Sequence, residues 1–229
     1  MTPATLQLTD QIAARLDKIK RLVPESVKLI AVTKTFPADI VRAAYASGIR
    51  DFAENKVQEA ISKQAELGDL TDITWHFIGH VQSNKSRKVV EHFDWVHSLD
   101  SVKLASRMNR QAEELGKSVN CCLQVKLAND PTKAGFEKDE LLLALSDLDE
   151  LNALSIEGLM VISPYGLADE ETAAVFAAGR SLADDIKLMG LKRIRMETLS
   201  MGMSGDYKLA IAQGATVIRL GSALFGRRG

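Results

Sequence analysis

The chain has 229 residues and a formal net charge of −1, and 46% of its residues are hydrophobic while 26% are charged. This balance is typical of a globular protein and excludes a general nucleic-acid binder, which would carry a basic excess. No apolar run approaches the roughly 18 residues that a membrane-spanning helix needs. Residues 1–20 also lack the continuous apolar stretch of a secretory signal. We therefore expect a cytoplasmic protein that does not span a membrane.

The pattern of apolar residues predicts one opening helix and then a repeated strand, turn and helix. The opening helix covers residues 4–22, where apolar residues recur at helical spacing. Short apolar runs then predict eight strands, over residues 28–33, 50–53, 74–78, 95–98, 120–125, 157–162, 195–199 and 217–220. Helical patterns fill the gaps, for instance over residues 38–47, 57–67, 101–115 and 170–188. This alternation is typical of a parallel sheet.

Eight such units favour a single (β/α)₈ barrel, the TIM barrel, with an extra N-terminal helix. No Ser/Gly-rich linker or low-complexity tract interrupts the chain, so we expect residues 1–229 to form one domain. An open, doubly wound sheet is the alternative architecture. In a TIM barrel the functional residues lie at the C-terminal ends of the strands, and a phosphate is often bound after strands 7 and 8. The strand ends are therefore where function should be sought.

Lys34 directly follows the first predicted strand. Most lysines are solvated, but this one would lie at the barrel mouth, at the end of an apolar run. Low-dielectric walls or a neighbouring cation lower the pKa of an amine, and the free amine can then attack an aldehyde to form a Schiff base. Lys34 is therefore the candidate nucleophile.

Polar side chains also mark the ends of the second and third predicted strands. Asn55 follows the second strand, and His76 and His80 flank the end of the third. Each residue could equally serve a turn or the core. The two histidines are four residues apart, but they lie across a strand and its turn without a carboxylate motif, so their spacing does not favour a metal site.

The stretch "LSMGMSGDY", residues 199–207, leaves the seventh predicted strand with glycines and serines where a core segment would have branched aliphatic residues. Ser204 is expected to be the N-cap of a helix that begins near Gly205. The eighth strand leads into Gly221 and Ser222, again small residues at a helix start. Tight turn geometry alone could explain each glycine. Two such turns at adjacent strand ends instead favour backbone N–H groups that bind a phosphate.

Arg219 lies two residues before the second of these turns, in a strand that the barrel would bury. A buried guanidinium needs an acceptor. A phosphate or a ring nitrogen would serve, and an ion pair with Glu157 or Glu197 is the structural alternative. Together, a Schiff-base lysine, a phosphate-binding pair of turns and an arginine describe a site for pyridoxal 5′-phosphate (PLP).

Six segments of the sequence resemble the YggS/PROSC family of PLP-binding homeostasis proteins, which is related in fold to the barrel domain of alanine racemase, a fold-type III PLP barrel. The segments are "AVTKTF" (31–36), "FAENKVQE" (52–59), "WHFIGHVQSNK" (75–85), "GLMVISP" (158–164), "LSMGMSGDY" (199–207) and "IRLGSALFG" (218–226). They follow the order of the family and cover almost the whole chain. The resemblance implies PLP as the cofactor.

The resemblance also implies roles for individual residues. Lys34 would form the internal aldimine with PLP, Asn55 would lie near the ring, and Arg219 would lie at the pyridine nitrogen. The phosphate would be bound by Ser204, Gly221 and Ser222. Further residues expected beside the cofactor are Met160, Ser200 and Met201.

An arginine at the pyridine nitrogen disfavours ring protonation and so weakens PLP as an electron sink. Racemases with this barrel take a second acid–base group from a separate β-domain, and we expect no such domain here because the sequence ends soon after the last strand. These points favour a monomeric PLP carrier or regulator in intracellular vitamin B6 and amino-acid homeostasis, with little or no catalysis. Its expected partners, besides PLP, are PLP-dependent enzymes or regulatory proteins.

Two other functions stay open at this level. A PLP-dependent amino-acid racemase would use Lys34 as one base and His80 or Tyr165 as the other. A class I aldolase would also use a barrel lysine and a phosphate site, but there the phosphate belongs to the substrate.

Overall fold

Eight parallel strands enclosed by helices form a closed barrel in the computed structural model, which describes residues 3–130 and 133–226. The barrel strands are β1 (Lys28–Val32), β2 (Asp51–Glu54), β3 (Thr74–Phe77), β4 (Trp95–Leu99), β5 (Val119–Lys126), β7 (Leu154–Val161), β8 (Thr198–Ser200) and β9 (Val217–Leu220). A two-residue strand, β6 (Phe136–Glu137), pairs with the end of β5. The helices are α1 (Pro3–Lys20), α2 (Ala38–Ala46), α3 (Val57–Glu66), α4 (Ser86–His92), α5 (Val102–Glu114), α6 (Lys138–Asp149), α7 (Asp169–Leu188), α8 (Tyr207–Ala212) and α9 (Ser222–Phe225).

The strands are hydrogen-bonded in the order β1, β2, β3, β4, β5, β7, β8, β9, and β9 pairs with β1 to close the barrel. Every pair is parallel, so all C-terminal strand ends lie at one mouth. The predicted TIM barrel with its N-terminal helix is confirmed.

Most predicted strands agree with the structure to within one residue at each end, and the larger differences lie in the second half of the barrel. β7 begins at Leu154 instead of residue 157, and β8 covers only residues 198–200 of the predicted 195–199. Residues ahead of β8 still join the ladder, because the N–H groups of Arg195 and Glu197 donate to backbone oxygens of β7 at 2.8 and 3.0 Å. β6 was not predicted, since two residues carry no periodic signal.

The main hydrophobic core lies between the sheet and the helices. Phe52, Phe77 and Leu123 of the strands are fully buried there, as is Phe176 of α7. The long helices α5 and α7 each turn one largely apolar stripe inward, which is the pattern that burial of apolar area stabilises. Among the helices of residues 3–130 and 133–226, none combines the length and apolar character needed to cross a membrane.

The inside of the barrel is packed differently. A small apolar cluster, Ile30, Val32, Ala53 and Val217, fills one part of it. The other part contains polar side chains that are almost fully buried, namely His76, His97, Ser200 and Arg219. TIM barrels usually fill this space with branched aliphatic residues. The polar content therefore points to a role other than packing.

Candidate functional site at the barrel mouth

A cavity of about 340 Å³ opens at the C-terminal mouth of the barrel. Five of the residues predicted from the sequence line it: Lys34, Ser204, Arg219, Gly221 and Ser222. Its other walls are mostly apolar and include Val32, Phe36, Ile78, Tyr165 and Met203. The barrel therefore brings the amine, the guanidinium and the two glycine-containing turns into one space, although they lie far apart in the sequence.

Lys34 lies in the turn that follows β1. The turn continues the β1–β2 ladder, since the Thr33 N–H donates to the Ala53 oxygen at 3.0 Å. The next residue, Thr35, has a φ of +67°, a left-handed conformation that is strained for a β-branched residue. The Glu59 carboxylate of α3 accepts a hydrogen bond from the Thr35 N–H and so helps to maintain this conformation.

A buried ion cluster, consisting of Lys63, Glu54 and Glu59, lies directly behind this turn. The Lys63 ammonium donates to Glu54 Oε1 at 2.6 Å, to Glu59 Oε1 at 2.8 Å and to the backbone oxygen of Thr33 at 2.8 Å. The Thr33 hydroxyl donates to Glu54 Oε1 at 2.7 Å. Glu54 is fully buried and Lys63 is 5% exposed. The ion cluster thus fixes the backbone on both sides of Lys34.

The charges of the ion cluster depend on one another. Burial raises the pKa of the Glu54 carboxyl, and hydrogen bonds from Lys63 and Thr33 oppose that rise. Burial acts in the same sense on Glu59, but hydrogen bonds from Lys63 and from the Thr35 backbone lower its pKa overall. Lys63 is therefore the cation that stabilises two neighbouring carboxylates.

The turns after β8 and β9 are joined by one hydroxyl. Ser204 Oγ accepts hydrogen bonds from the N–H groups of Gly221, at 3.2 Å, and Ala223, at 3.1 Å. The prediction that Ser204 caps a helix was wrong, because α8 begins at Tyr207 and Asp206 occupies the N-cap position. Both helices after these turns are short, so their dipoles are weak. The backbone N–H groups of the turns would therefore contribute more than the dipoles to binding an anion.

The two glycines of the stretch 199–207 differ in how their surroundings would accept a side chain. Gly202 has a φ of +91°, and a Cβ there would lie 2.7 Å from the Ala210 Cβ, so packing against α8 explains it. Gly205 would place a Cβ in open space, and this residue lines the cavity. The bare turn therefore serves packing at one glycine and the cavity at the other.

Arg219 extends from β9 inside the barrel and is 3% exposed. Its Nη1 donates to the backbone oxygen and to Oγ of Ser200, both at 2.6 Å. Among the residues that the structure describes, no carboxylate oxygen lies within 4.0 Å of its guanidinium, and the alternative ion pairs with Glu157 and Glu197 do not form. Burial lowers the pKa of Arg219 to about 10. Arg219 is therefore a buried cation that presents N–H donors to the cavity.

Four predicted residues lie outside the lining of the cavity. Asn55 lines an adjacent cleft of about 260 Å³ together with His80. Ser200 and Met160 are buried side by side in the barrel wall, in register on β8 and β7. Met201 points away from the barrel interior, because its sulfur is the atom that a Cβ on Gly179 of α7 would approach to 3.1 Å. Ser200 thus acts on the site through Arg219.

The sequence did not predict the residues that lie beneath the cavity and hydrogen-bond to its surroundings. Lys63 follows Glu59 by four residues on α3, a spacing that indicates a helical ion pair but usually an exposed one. His97 occupies the inward position of β4, and Asp51 starts β2. A polar residue at an inward strand position was the available signal for both residues.

Comparisons with known proteins agree with this geometry. The model of the alanine racemase N-terminal domain family matches residues 8–229. A pyridoxal phosphate homeostasis protein of Synechocystis sp. is 48% identical over 206 residues, which are 90% of this chain and 94% of the relative. The pyridoxal phosphate homeostasis protein of Escherichia coli K12 is 38% identical over 226 residues, which are 97% of this chain and 94% of the relative.

Solved structures show the same fold. PipY of Synechococcus elongatus PCC7942, solved with PLP bound, is 53% identical and superposes with a TM-score of 0.90, covering 94% of this chain and all of PipY. Alanine racemase of Clostridium difficile 630 is 18% identical, with a TM-score of 0.77 over 96% of this chain and 57% of the racemase, and shares the fold. From the family model and the two relatives, the chain belongs to the alanine racemase N-terminal domain family and, within it, to the pyridoxal phosphate homeostasis proteins.

Proposed function

We propose that this chain binds PLP as a Schiff base on Lys34 and acts in intracellular PLP (vitamin B6) and amino-acid homeostasis, with little or no catalysis. The observation that carries the proposal is the mouth cavity, where Lys34, Arg219 and the joined turns of Ser204 and Gly221 meet. The PLP-bound structure of PipY, at 53% identity, supports the choice of cofactor.

The residues around the cavity fit PLP in size and in chemistry. A volume of about 340 Å³ falls in the range of roughly 300–1,000 Å³ that is usual for small-molecule sites. Lys34 supplies an amine for the aldehyde, and the hydroxyls of Ser204 and Ser222 can donate to the phosphate. The Gly221 N–H, which donates to Ser204 Oγ at 3.2 Å, can be shared with the phosphate. An apolar wall suited to the ring is formed by Val32, Phe36 and Ile78.

PLP would supply an aldehyde at this site, and the Lys34 amine would hold it through a C=N bond, with release of one water. The ion cluster behind the turn fixes the backbone that carries this amine. The Arg219 guanidinium donates hydrogen bonds and cannot accept them, so it favours a pyridine nitrogen without a proton. An unprotonated ring stabilises a carbanion poorly, which suits a carrier better than an amino-acid enzyme.

The racemase alternative requires an acid–base group opposite Lys34. His80 lines the adjacent cleft and its Nδ1 lies 2.8 Å from Asp100. Tyr165 lines the mouth cavity, but its side chain is fully exposed to solvent. Solvent deuterium exchange at the α-carbon of alanine or serine, at rates typical of enzymes, would favour racemisation over the carrier function.

Several further properties belong to the same proposal. We infer that residues 1–229 act as one domain, that the protein is a cytoplasmic monomer, and that it exchanges PLP with PLP-dependent enzymes or regulatory proteins. A sedimentation mass near 25.0 kDa is expected, and a mass near twice that value would refute the monomer.

The decisive test uses the absorption spectrum of the purified protein with and without added PLP. Wild type and Lys34→Ala are compared, each followed by borohydride reduction and peptide mapping. Lys56→Ala, a variant of an exposed lysine beside the adjacent cleft, serves as the matched control. A pyridoxyl adduct on Lys34 in wild type and in the control, absent from Lys34→Ala, supports the proposal. A wild-type protein that takes up no PLP overturns it.

A further inference from the structure

Five polar side chains form a continuous series of hydrogen bonds across the inside of the barrel. Arg219 Nη1 lies 2.6 Å from Ser200 Oγ, which lies 2.8 Å from His97 Nδ1. His97 Nε2 lies 3.0 Å from His76 Nδ1, and His76 Nε2 lies 3.0 Å from Asp51 Oδ1. We call these five residues the barrel network. It runs from the mouth cavity to Asp51, which begins β2 at the opposite end of the barrel.

The chemistry of the groups fixes the direction of donation at the Asp51 end. Burial raises the pKa of the Asp51 carboxyl, but hydrogen bonds from His76 and the charge of Lys28 outweigh this and lower it. The carboxylate therefore only accepts, and His76 Nε2 must carry the proton. Burial lowers the pKa of the His76 ring, so the ring is neutral and its Nδ1 accepts.

The same reasoning continues to the mouth. His76 Nδ1 accepts from His97 Nε2–H, and burial lowers the pKa of His97 well below its ordinary value, so its Nδ1 accepts in turn. The Ser200 hydroxyl then donates to His97, which leaves the Ser200 lone pairs for Arg219. Each group thus donates toward Asp51, and hydrogen bonds aligned in this way polarise one another.

Arg219 depends on this arrangement because it has few other partners. Its Nη2 lies 3.4 Å from the Val161 oxygen, and no carboxylate of the described residues lies within ion-pair distance. The Ser200 contacts at 2.6 Å are its shortest hydrogen bonds. The orientation of the guanidinium is therefore set by Ser200, through its backbone oxygen and its hydroxyl together, and the orientation of that hydroxyl is set by the tautomer of His97.

We propose that the barrel network positions the guanidinium of Arg219, so that Asp51, at the far end of the barrel, determines how Arg219 presents its remaining N–H groups to PLP. The inference rests on the proposed function, since it assigns those N–H groups to the ring of that cofactor. His76, His97 and Ser200 are then positioning residues that never touch the cofactor. This accounts for a barrel interior that is polar where most TIM barrels are aliphatic.

The test compares one variant at the Asp51 end of the barrel network with one variant in its middle. Asp51→Asn keeps the shape of the side chain and removes the charge that fixes the tautomers. His97→Phe removes the middle of the barrel network with a ring of similar size. His92→Phe is the matched control, because His92 is half-buried in the outer layer, where its Nδ1 contacts Gln64 at 3.1 Å.

The first readout is made on the protein without PLP. Nitrogen NMR shifts of the imidazoles should show His76 and His97 both protonated at Nε2 in wild type, and a changed tautomer distribution in Asp51→Asn. This result does not depend on the proposed function. Wild-type rings protonated at Nδ1, or tautomers unchanged in Asp51→Asn, would overturn the inference even if PLP binds normally.

The second readout is the absorption maximum and the dissociation constant of bound PLP. Asp51→Asn and His97→Phe should shift the absorption band and weaken binding by about tenfold, the size typical of hydrogen bonds that support a ligand contact, while the control keeps both values. Should His97→Phe fail to fold, Asp51→Asn carries the test alone. A folded Asp51→Asn protein with the wild-type spectrum and affinity would refute the inference, whereas a wild type that binds no PLP would refute the proposed function instead.

Discussion

The two sides of the barrel mouth are built from different interactions. On the lysine side, the turn around Lys34 is supported by a buried ion cluster in which Lys63 has three acceptors within 2.8 Å. On the anion side, the turns after β8 and β9 are joined by the Ser204 hydroxyl, through two hydrogen bonds of 3.1 and 3.2 Å. The lysine side is therefore held by buried charges, and the anion side by hydrogen bonds of a kind that a phosphate could share or replace.

This difference matches what each side must do in a carrier. An amine reacts with an aldehyde more efficiently when it is held in place, and the buried charges of the ion cluster provide that order because breaking them is costly. In the proposed function the phosphate would be held by non-covalent contacts that must also release it. Backbone N–H groups beside solvent suit that task, since water replaces the phosphate when it leaves.

Lys63→Met should have the largest effect, because it breaks the ion cluster and leaves two carboxylates without their cation. We expect a loss of about 3–5 kcal/mol in the free energy of unfolding, the usual cost of removing one partner of a buried ion pair. Urea unfolding monitored by circular dichroism measures it. Lys187→Met breaks an exposed pair with Glu197 and is the control, with an expected loss below about 1 kcal/mol. Equal losses in the two variants would contradict the assignment.

The ion cluster also shows what the sequence could and could not predict. The eight strands, their parallel order and five of the residues that line the cavity follow from apolar runs and from the residues at strand ends. Lys63 could not be assigned, since a lysine four residues after Glu59 on a helix is most often an exposed partner. Its burial results from the packing of α3 against β2 and from its contact with Thr33 after β1, which no local pattern contains.

Prediction from the sequence has a similar limit on the anion side of the mouth. Gly and Ser residues at two strand ends predicted a phosphate-binding turn, but the role of Ser204 as a bridge between the turns depends on the β8–β9 pairing. Ser200 and Met201 are adjacent, and only the register of β8 decides that one supports Arg219 while the other packs against α7. A shift by one residue in a strand reverses such assignments.

Gly202→Ala and Gly205→Ala should differ in unfolding free energy, because only Gly202 is packed against a neighbouring helix. A Cβ at Gly202 would lie 2.7 Å from the Ala210 Cβ and 2.9 Å from the Tyr207 Cα, at a left-handed φ. We expect this variant to lose about 2–4 kcal/mol of unfolding free energy from overpacking and backbone strain. Gly205→Ala should stay within about 0.5 kcal/mol of wild type, because its Cβ meets open space. The interpretation fails if Gly205→Ala is the more destabilised of the two.

Ser204→Ala should affect binding more than stability. The Gly221 and Ala223 N–H groups lose their acceptor, and because the turns are partly exposed we expect a loss of about 1 kcal/mol in unfolding free energy. The affinity for PLP should fall by about tenfold, since a donor to the phosphate is lost. Pyridoxal, which lacks the phosphate, should bind to Ser204→Ala as it does to wild type. Fluorescence titration with both compounds measures the two affinities, and equal losses for both would place Ser204 away from the phosphate.

Thr35→Asn should have the smallest effect and the opposite sign. Thr35 adopts a left-handed φ of +67° that asparagine tolerates better than a β-branched residue. Relief of this strain should stabilise the protein by about 0.5–1 kcal/mol, part of the roughly 1–2 kcal/mol that the conformation costs an ordinary residue. Thr35→Val keeps the branch and should show no gain in urea unfolding. If the valine and asparagine variants have the same free energy of unfolding, the φ of Thr35 is not a source of strain. The ion cluster then supports the turn around Lys34 without having to compensate for a strained backbone at Thr35.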